Sequence, residues 1–220
     1  MGAGDLTERL SVRARFERFP ATVKGAFILR GEDADPHQVV FKEANVVGIG
    51  LAASRPMPIA PATLDVAPHR DVFVPFEIVV SDLEPGWYTM TCELEVDGTP
   101  GSFDGGRRFP VAWPRATVRR GQVKVDRAVA VGDAKVVVEQ VDCGGDSVRI
   151  HLRIDPPGPV TARLSTGGTR LEVLETELDE ATGRAKVTAY PVMRGHDTLR
   201  IELRGKGRGA EGVLEVTLPA

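Results

Sequence analysis

Leu83-Glu84-Pro85-Gly86-Trp87-Tyr88-Thr89-Met90-Thr91-Cys92-Glu93-Leu94-Glu95-Val96-Asp97-Gly98 reads as a tight turn feeding a long strand. Pro85 presets φ for the first central position of a β-turn, and Gly86 tolerates the positive φ that the second position can require. From Tyr88 onward, Tyr88, Met90, Cys92, Leu94 and Val96 fall on one face and Thr89, Thr91, Glu93 and Glu95 on the other. This period of two belongs to a strand buried on one side. Such a strand needs a second layer to cover its apolar face.

The Leu-x-Pro-Gly-x-Tyr run followed by alternation resembles the tyrosine-corner turn of immunoglobulin-like and fibronectin-like β-sandwiches. The resemblance implies that Tyr88 bonds back to upstream backbone and that the strand belongs to a sandwich. It spans about fifteen residues and implies no function. The antibody pattern places Cys two residues after the Tyr. Here that position is Met90, with Cys92 four residues on, so the disulfide version is not expected.

Upstream, alternation predicts strands over Leu10 to Phe19, ended by Pro20, and over Thr22 to Arg30. Two shorter strands are expected at His37 to Phe41 and Asn45 to Leu51. Ala52 to Arg70 breaks the pattern, because Pro56, Pro58, Pro61 and Pro68 oppose both helix and central strand. Its stretch Arg55 to Pro61 could run as polyproline II and present Met57 and Ile59 to a partner groove. Alternatively it is a proline-bent edge strand with those side chains in the core. Val72 to Val80 is strongly apolar, and Pro75 pushes it toward a sheet edge. Thr99 to Gly106 reads as a loop, followed by a last short strand over Arg107 to Trp113.

That set completes one sandwich. Fresh turn signals then restart at regular spacing, so the chain is expected to hold two tandem antiparallel β-sandwich, immunoglobulin-like domains, 1–114 and 115–220. The second set comprises Val118 to Val131, Ala134 to Val141, Ser147 to Asp155, Val160 to Leu164, Arg170 to Leu178, Arg184 to Tyr190, Thr198 to Arg204 and Gly212 to Leu218. In Arg170 to Leu178 the apolar face shifts from Leu171 and Val173 to Leu174 and Leu178, as a bulge would produce. Asp179 to Gly183 reads as a type I turn closed by a left-handed glycine. No helix is expected.

The 220 residues include 24 Gly and 16 Pro, which signals many turns. Aromatic content of 5% points to cores of Val, Leu and Ile rather than rings. The net charge of −3 divides into −4 up to Arg115 and +1 beyond it. Neither half has the positive excess that nonspecific phosphate binding requires, so no nucleic acid partner is expected.

Cys92 reads as a core residue and Cys143, in Asp142-Cys143-Gly144-Gly145-Asp146, as an exposed thiol on a turn. Met1 to Phe19 is charged and lacks the apolar segment of a secretory signal. Gly2 invites a myristoylation reading that Leu6 contradicts. The longest apolar stretch, Val46 to Ala53, contains two glycines and does not span a bilayer. A reducing, cytoplasmic location is the expectation.

The four histidines His37, His69, His151 and His196 have no ligand-like spacing. No nucleophile elbow, phosphate-cradling loop or dinucleotide fingerprint is present. No catalytic residue, cofactor or metal site is therefore expected. Two outward arginine sets remain: Arg149 and Arg153 around His151, and Arg200 and Arg204 around Glu202. On neighbouring strands they would form a basic stripe for an acidic partner, extended by Arg204 to Gly209. The alternative is a solvated sheet face cross-paired with Glu172, Glu175 and Glu177. The functional expectation is a non-enzymatic binding or structural adaptor acting through protein contacts or self-association. The alternative is a carbohydrate or small-molecule module using Trp87, Tyr88 or Trp113 as a stacking ring. A third class is an enzyme whose site assembles from distant loops.

Overall fold

Alternating stretches become strands throughout the computed structural model, which describes residues 9–19, 21–60, 62–206 and 210–219. The readings placed on Gly2, Leu6, Pro20, Pro61 and Gly207 to Gly209 lie outside these residues. The chain forms two compact units, Met1–Val111 and Ala112–Ala220. Every regular element among the described residues is a strand.

In the first unit these are β1 (Leu10–Arg18), β2 (Thr22–Gly31), β3 (His37–Gly48), β4 (Ser54–Pro56), β5 (Thr63–Val66), β6 (Asp71–Val79), β7 (Gly86–Val96) and β8 (Thr99–Val111). One sheet has the order β1-β2-β6, and the other β4-β3-β7-β8, with β5 also on β3. β4 and β5 share one edge of β3: β5 pairs with His37 to Val40, β4 with Asn45 to Val47.

Two expectations need correction here. The two short strands of the third segment are one strand, because a register shift between Phe41 and Glu43 absorbs the break in alternation. Thr99 to Gly106 is strand rather than loop. Asp97 (φ 51°) and Gly98 (φ 78°) make a two-residue turn with both φ positive, so β8 starts at once as the return arm of a hairpin. The proline-rich stretch contributes β4 and β5. Pro75 does mark an edge: among the described residues β6 is hydrogen-bonded to β2 alone.

The second unit holds β9 (Gly121–Val131), β10 (Ala134–Cys143), β11 (Val148–Asp155), β12 (Thr161–Thr166), β13 (Thr169–Leu171), β14 (Val173–Asp179), β15 (Arg184–Ala189), β16 (Thr198–Arg204) and β17 (Glu211–Thr217). Its sheets have the orders β14-β15-β11-β10-β9 and β13-β12-β16-β17. The shift of apolar face after Arg170 has a larger cause than a bulge. β13 pairs with β12 and β14 with β15, so the chain changes sheets at Glu172, and a register shift between Val173 and Glu175 follows. Gly183 (φ 66°) closes the turn from Asp179 as expected, its amide donating to the Asp179 carbonyl at 2.8 Å.

Setting β9 aside, both units have the strand order of an immunoglobulin-like sandwich. First, second and penultimate-hairpin strands β10-β11-β15 oppose β13-β12-β16-β17, as β1-β2-β6 oppose β4-β3-β7-β8. The fifth strand differs. β14 stays beside β15, whereas its counterpart β5 has moved to the opposite sheet.

Each unit has its own core. In β11, Val148, Ile150, Leu152 and Ile154 are all buried, each burial contributing about 1.5–3 kcal/mol. The expectation of ring-poor cores holds for the second unit only. All 8 phenylalanines lie in the first, where Phe27 packs against Phe41, Phe76 and Phe103 at centroid distances of 5.8, 5.2 and 6.3 Å. Averaging over the chain hides this segregation.

Candidate functional site

Tyr88 is 1% exposed, and its hydroxyl donates to the Glu84 carbonyl at 2.8 Å. Its ring stacks on Phe109 with centroids 5.9 Å apart. The Pro85-Gly86 turn brings that carbonyl back over the start of β7, so Tyr88 is committed to the corner and is not available to stack on a sugar. Trp113 packs edge-on against Tyr190 at 5.3 Å. Trp87 is half-buried.

Met57 does not face a partner. It is 5% exposed in the core of the first unit, and its amide donates to the Ala44 carbonyl at 2.7 Å. Ile59 is half-buried against the same core. The pairing of β4 with β3 folds this stretch over the sandwich, so the proline-bent edge reading describes it.

The arginine sets are not on neighbouring strands. Arg149, His151 and Arg153 lie on β11 and Arg200 and Arg204 on β16, which belong to opposite sheets. No single stripe forms. Most of these groups have an acidic neighbour: Arg153 with Glu139 at 3.3 Å, His151 with Asp142 at 2.8 Å, Arg200 with Glu202 at 2.9 Å and Arg204 with Glu211 at 3.0 Å. Lys186, in register with His151, pairs with Glu177 at 2.8 Å. All are solvated pairs, cross-strand except Arg200–Glu202, which lies within β16.

Cys143 is buried, contrary to the expectation of an exposed thiol, because β10 extends through it and turns its side chain inward. Both thiols are free, and burial pushes Cys92 up to about 12 and Cys143 up to about 11. Neither is a ready nucleophile near neutral pH. Among the described residues no group of three or more His, Cys, Asp or Glu is placed to hold a metal ion. Nor is any helix there long and apolar enough to cross a membrane.

The surface that sequence reasoning missed is the outer face of the β1-β2-β6 sheet. Among the described residues the exposed large hydrophobic side chains are Phe19, Phe73, Val79 and Val213, and the first three belong to this sheet or its border. Phe73 is 61% exposed. Register sets Arg13, Ile28 and Phe73 in one row and Arg15, Ala26 and Pro75 in the next. A shallow groove of about 340 Å³ runs here between Phe16, Phe19, Ile28 and Phe73. Charged rows close both ends: Lys24 pairs with Glu77 at 3.1 Å, and Arg13 and Arg30 reach Asp71 at 3.1 and 3.5 Å. The signal was in the sequence, since the face of β6 opposite Val74, Phe76 and Ile78 carries Phe73, Pro75 and Val79 where polar residues belong.

No protein-family model matches the chain, and no characterised protein matches it in sequence. Among solved structures it is similar to a conserved domain protein from Bacillus anthracis, at 11% identity and a TM-score of 0.32, covering 95% of this chain and 86% of that one. Two marsupial T cell receptor chains are similar at 10% and 12% identity, with TM-scores of 0.27 and 0.28. They cover 94% and 96% of this chain and 62% and 98% of their own. The fold assignment rests on strand order.

Proposed function

We propose that this protein is a non-enzymatic binding or structural adaptor that acts through protein–protein contacts. The contact face is the outer surface of the β1-β2-β6 sheet. The observation that carries the reading is the pair Phe19 and Phe73 lining one groove, with Val79 exposed on the same sheet face, where a sheet turned to water ordinarily carries polar residues. Polar rows at both ends of an apolar centre are the anatomy of a protein contact. The buried, free thiols suit a reducing compartment, and the cytoplasm is the proposed location.

A photo-crosslinking residue at Lys24, beside the groove, tests this in cells, with the same residue at Glu180 in the second unit as reference. The expected result is one discrete polypeptide adduct at position 24, either a second copy or a different chain, lost on Phe73→Ser. Phe73 is mostly exposed, so Phe73→Ser should alter stability by no more than about 0.5 kcal/mol. No adduct, or the same adducts from position 180, would remove the proposed face.

A further inference from the structure

His37 opens β3 and is 4% exposed, yet both its ring nitrogens are engaged. Nδ1 lies 2.6 Å from Asp97 Oδ2 and Nε2 lies 2.7 Å from Asp33 Oδ1. A neutral imidazole has one N–H and one lone pair, so it can donate to only one of two carboxylates. Only the imidazolium makes both contacts hydrogen bonds. The two carboxylates come from different parts of the first unit: Asp33 from the β2–β3 loop, Asp97 from the β7–β8 turn.

We propose that His37 is a protonation-controlled latch that clasps the β2–β3 loop to the β7–β8 turn and releases the loop when the ring loses its proton. The direction of release follows from the other bonds. Asp97 is held independently, since its Oδ1 accepts from the Gln38 amide at 2.9 Å and its own amide donates to the Gln38 carbonyl at 2.9 Å. Among the described residues Asp33 has, besides His37, a local hydrogen bond from the Asp35 amide at 3.2 Å and the longer-range attraction of Arg9. On deprotonation the remaining N–H stays with Asp97, and the Nε2 lone pair faces Asp33. That contact becomes repulsive, and the loop moves away.

The charged surroundings favour the protonated, closed state. The bond from Asp97, then that from Asp33, raises the His37 pKa above 6.5 against the opposing effect of burial. Bonding to His37 lowers both carboxylates below 3.8, and Arg9, ahead of β1, adds to this. Glu32 on the same loop is engaged by the Ser11 hydroxyl, and Glu95 on β7 by Lys42. Asp65 on β5 lies opposite Gln38 in register. A raised imidazole pKa contributes stability complete below 6.5 and lost as pH climbs through the folded value. Depressed carboxylate pKa values contribute stability present above 3.8 and lost as pH falls through theirs. The latch is therefore closed between those two limits and opens on the alkaline side by the loss of one proton.

NMR of the intact chain tests this by following the His37 ring nitrogens and the amides of Asp35 and Gln38 across pH. At pH 6 both ring nitrogens should carry protons, and the His37 midpoint should exceed 6.5. As pH passes that midpoint, the Asp35 amide resonance should shift with the same midpoint as the loop moves, while Gln38 keeps its exchange protection. Asp33→Ala should lower the His37 midpoint and leave an Asp35 amide resonance that no longer follows it. A midpoint at or below 6.5 overturns the proposal. So does a raised midpoint that the Asp35 amide does not follow.

Discussion

Tyr88→Phe removes one oxygen atom from the corner and leaves the ring. The ring's stacking on Phe109 is retained, so the change isolates the hydroxyl bond to Glu84. A net intramolecular hydrogen bond of this kind stabilises by about 1 kcal/mol. Tyr88 is 1% exposed, but Glu84 is at the surface, so water can reach the abandoned carbonyl and the desolvation penalty stays small. The expected loss is about 1–1.5 kcal/mol. At an unfolding entropy of about 2.1 cal/mol/K per residue, a unit ending at Val111 loses about 4 °C per kcal/mol, hence about 4–6 °C in all. The chain has 2 tryptophans, Trp87 in the first unit and Trp113 in the second, so Trp113→Phe leaves a fluorophore that reports the first unit alone. In that background Tyr88→Phe should shift the Trp87 transition by this amount. An unchanged midpoint would refute the corner as a source of stability. A drop beyond about 3 kcal/mol would show that the substitution disturbs packing rather than one bond.

Gly25 lies opposite Phe16 of β1, and a Cβ there would lie 2.2 Å from the Arg15 carbonyl oxygen and 2.7 Å from Phe16 Cβ. Gly25→Ala should therefore cost about 2 kcal/mol or more by displacing backbone, measurable by urea unfolding followed at Trp87. The thiols offer a second check. With Cys92 and Cys143 pushed up to about 12 and about 11, a disulfide reagent at pH 8 should label neither in the folded chain and both after denaturation. Prompt labelling of the native protein would contradict the burial of β10 at its C-terminal end.

Strand existence was legible wherever one face is apolar and the other polar, as in β7 and β11, because burial on one side writes a period of two into the sequence. Sheet membership was not. Alternation tells which residues face inward but not which strand lies alongside, so β11 and β16 could be read as neighbours and the two arginine rows as one stripe. The change of sheet at Glu172 was visible only as a slip in the alternation, a signature it shares with a bulge. The hairpin at Asp97-Gly98 did carry its signal, since Asp-Gly between alternating runs favours a two-residue turn. Reading the following glycines as loop obscured it. The apolar outer face of β6 was also written in the chain, as Phe73, Pro75 and Val79. The histidine clasp had no such trace, because Asp33, His37 and Asp97 converge only once β3 lies beside β7.

The transfer of β5 to the edge of β3 leaves β6 without a second neighbour among the described residues, and so gives the first unit a seat that a strand from any chain could take. Seen as a problem of colloidal behaviour, the seat lies next to the apolar groove, so one surface invites both recognition and uncontrolled growth. Pro75 removes a backbone donor from the middle of that edge, and the carboxylates of Asp71 and Glu77 flank it. These three residues oppose the addition of a further strand at that edge and so separate recognition by the face from growth along the edge.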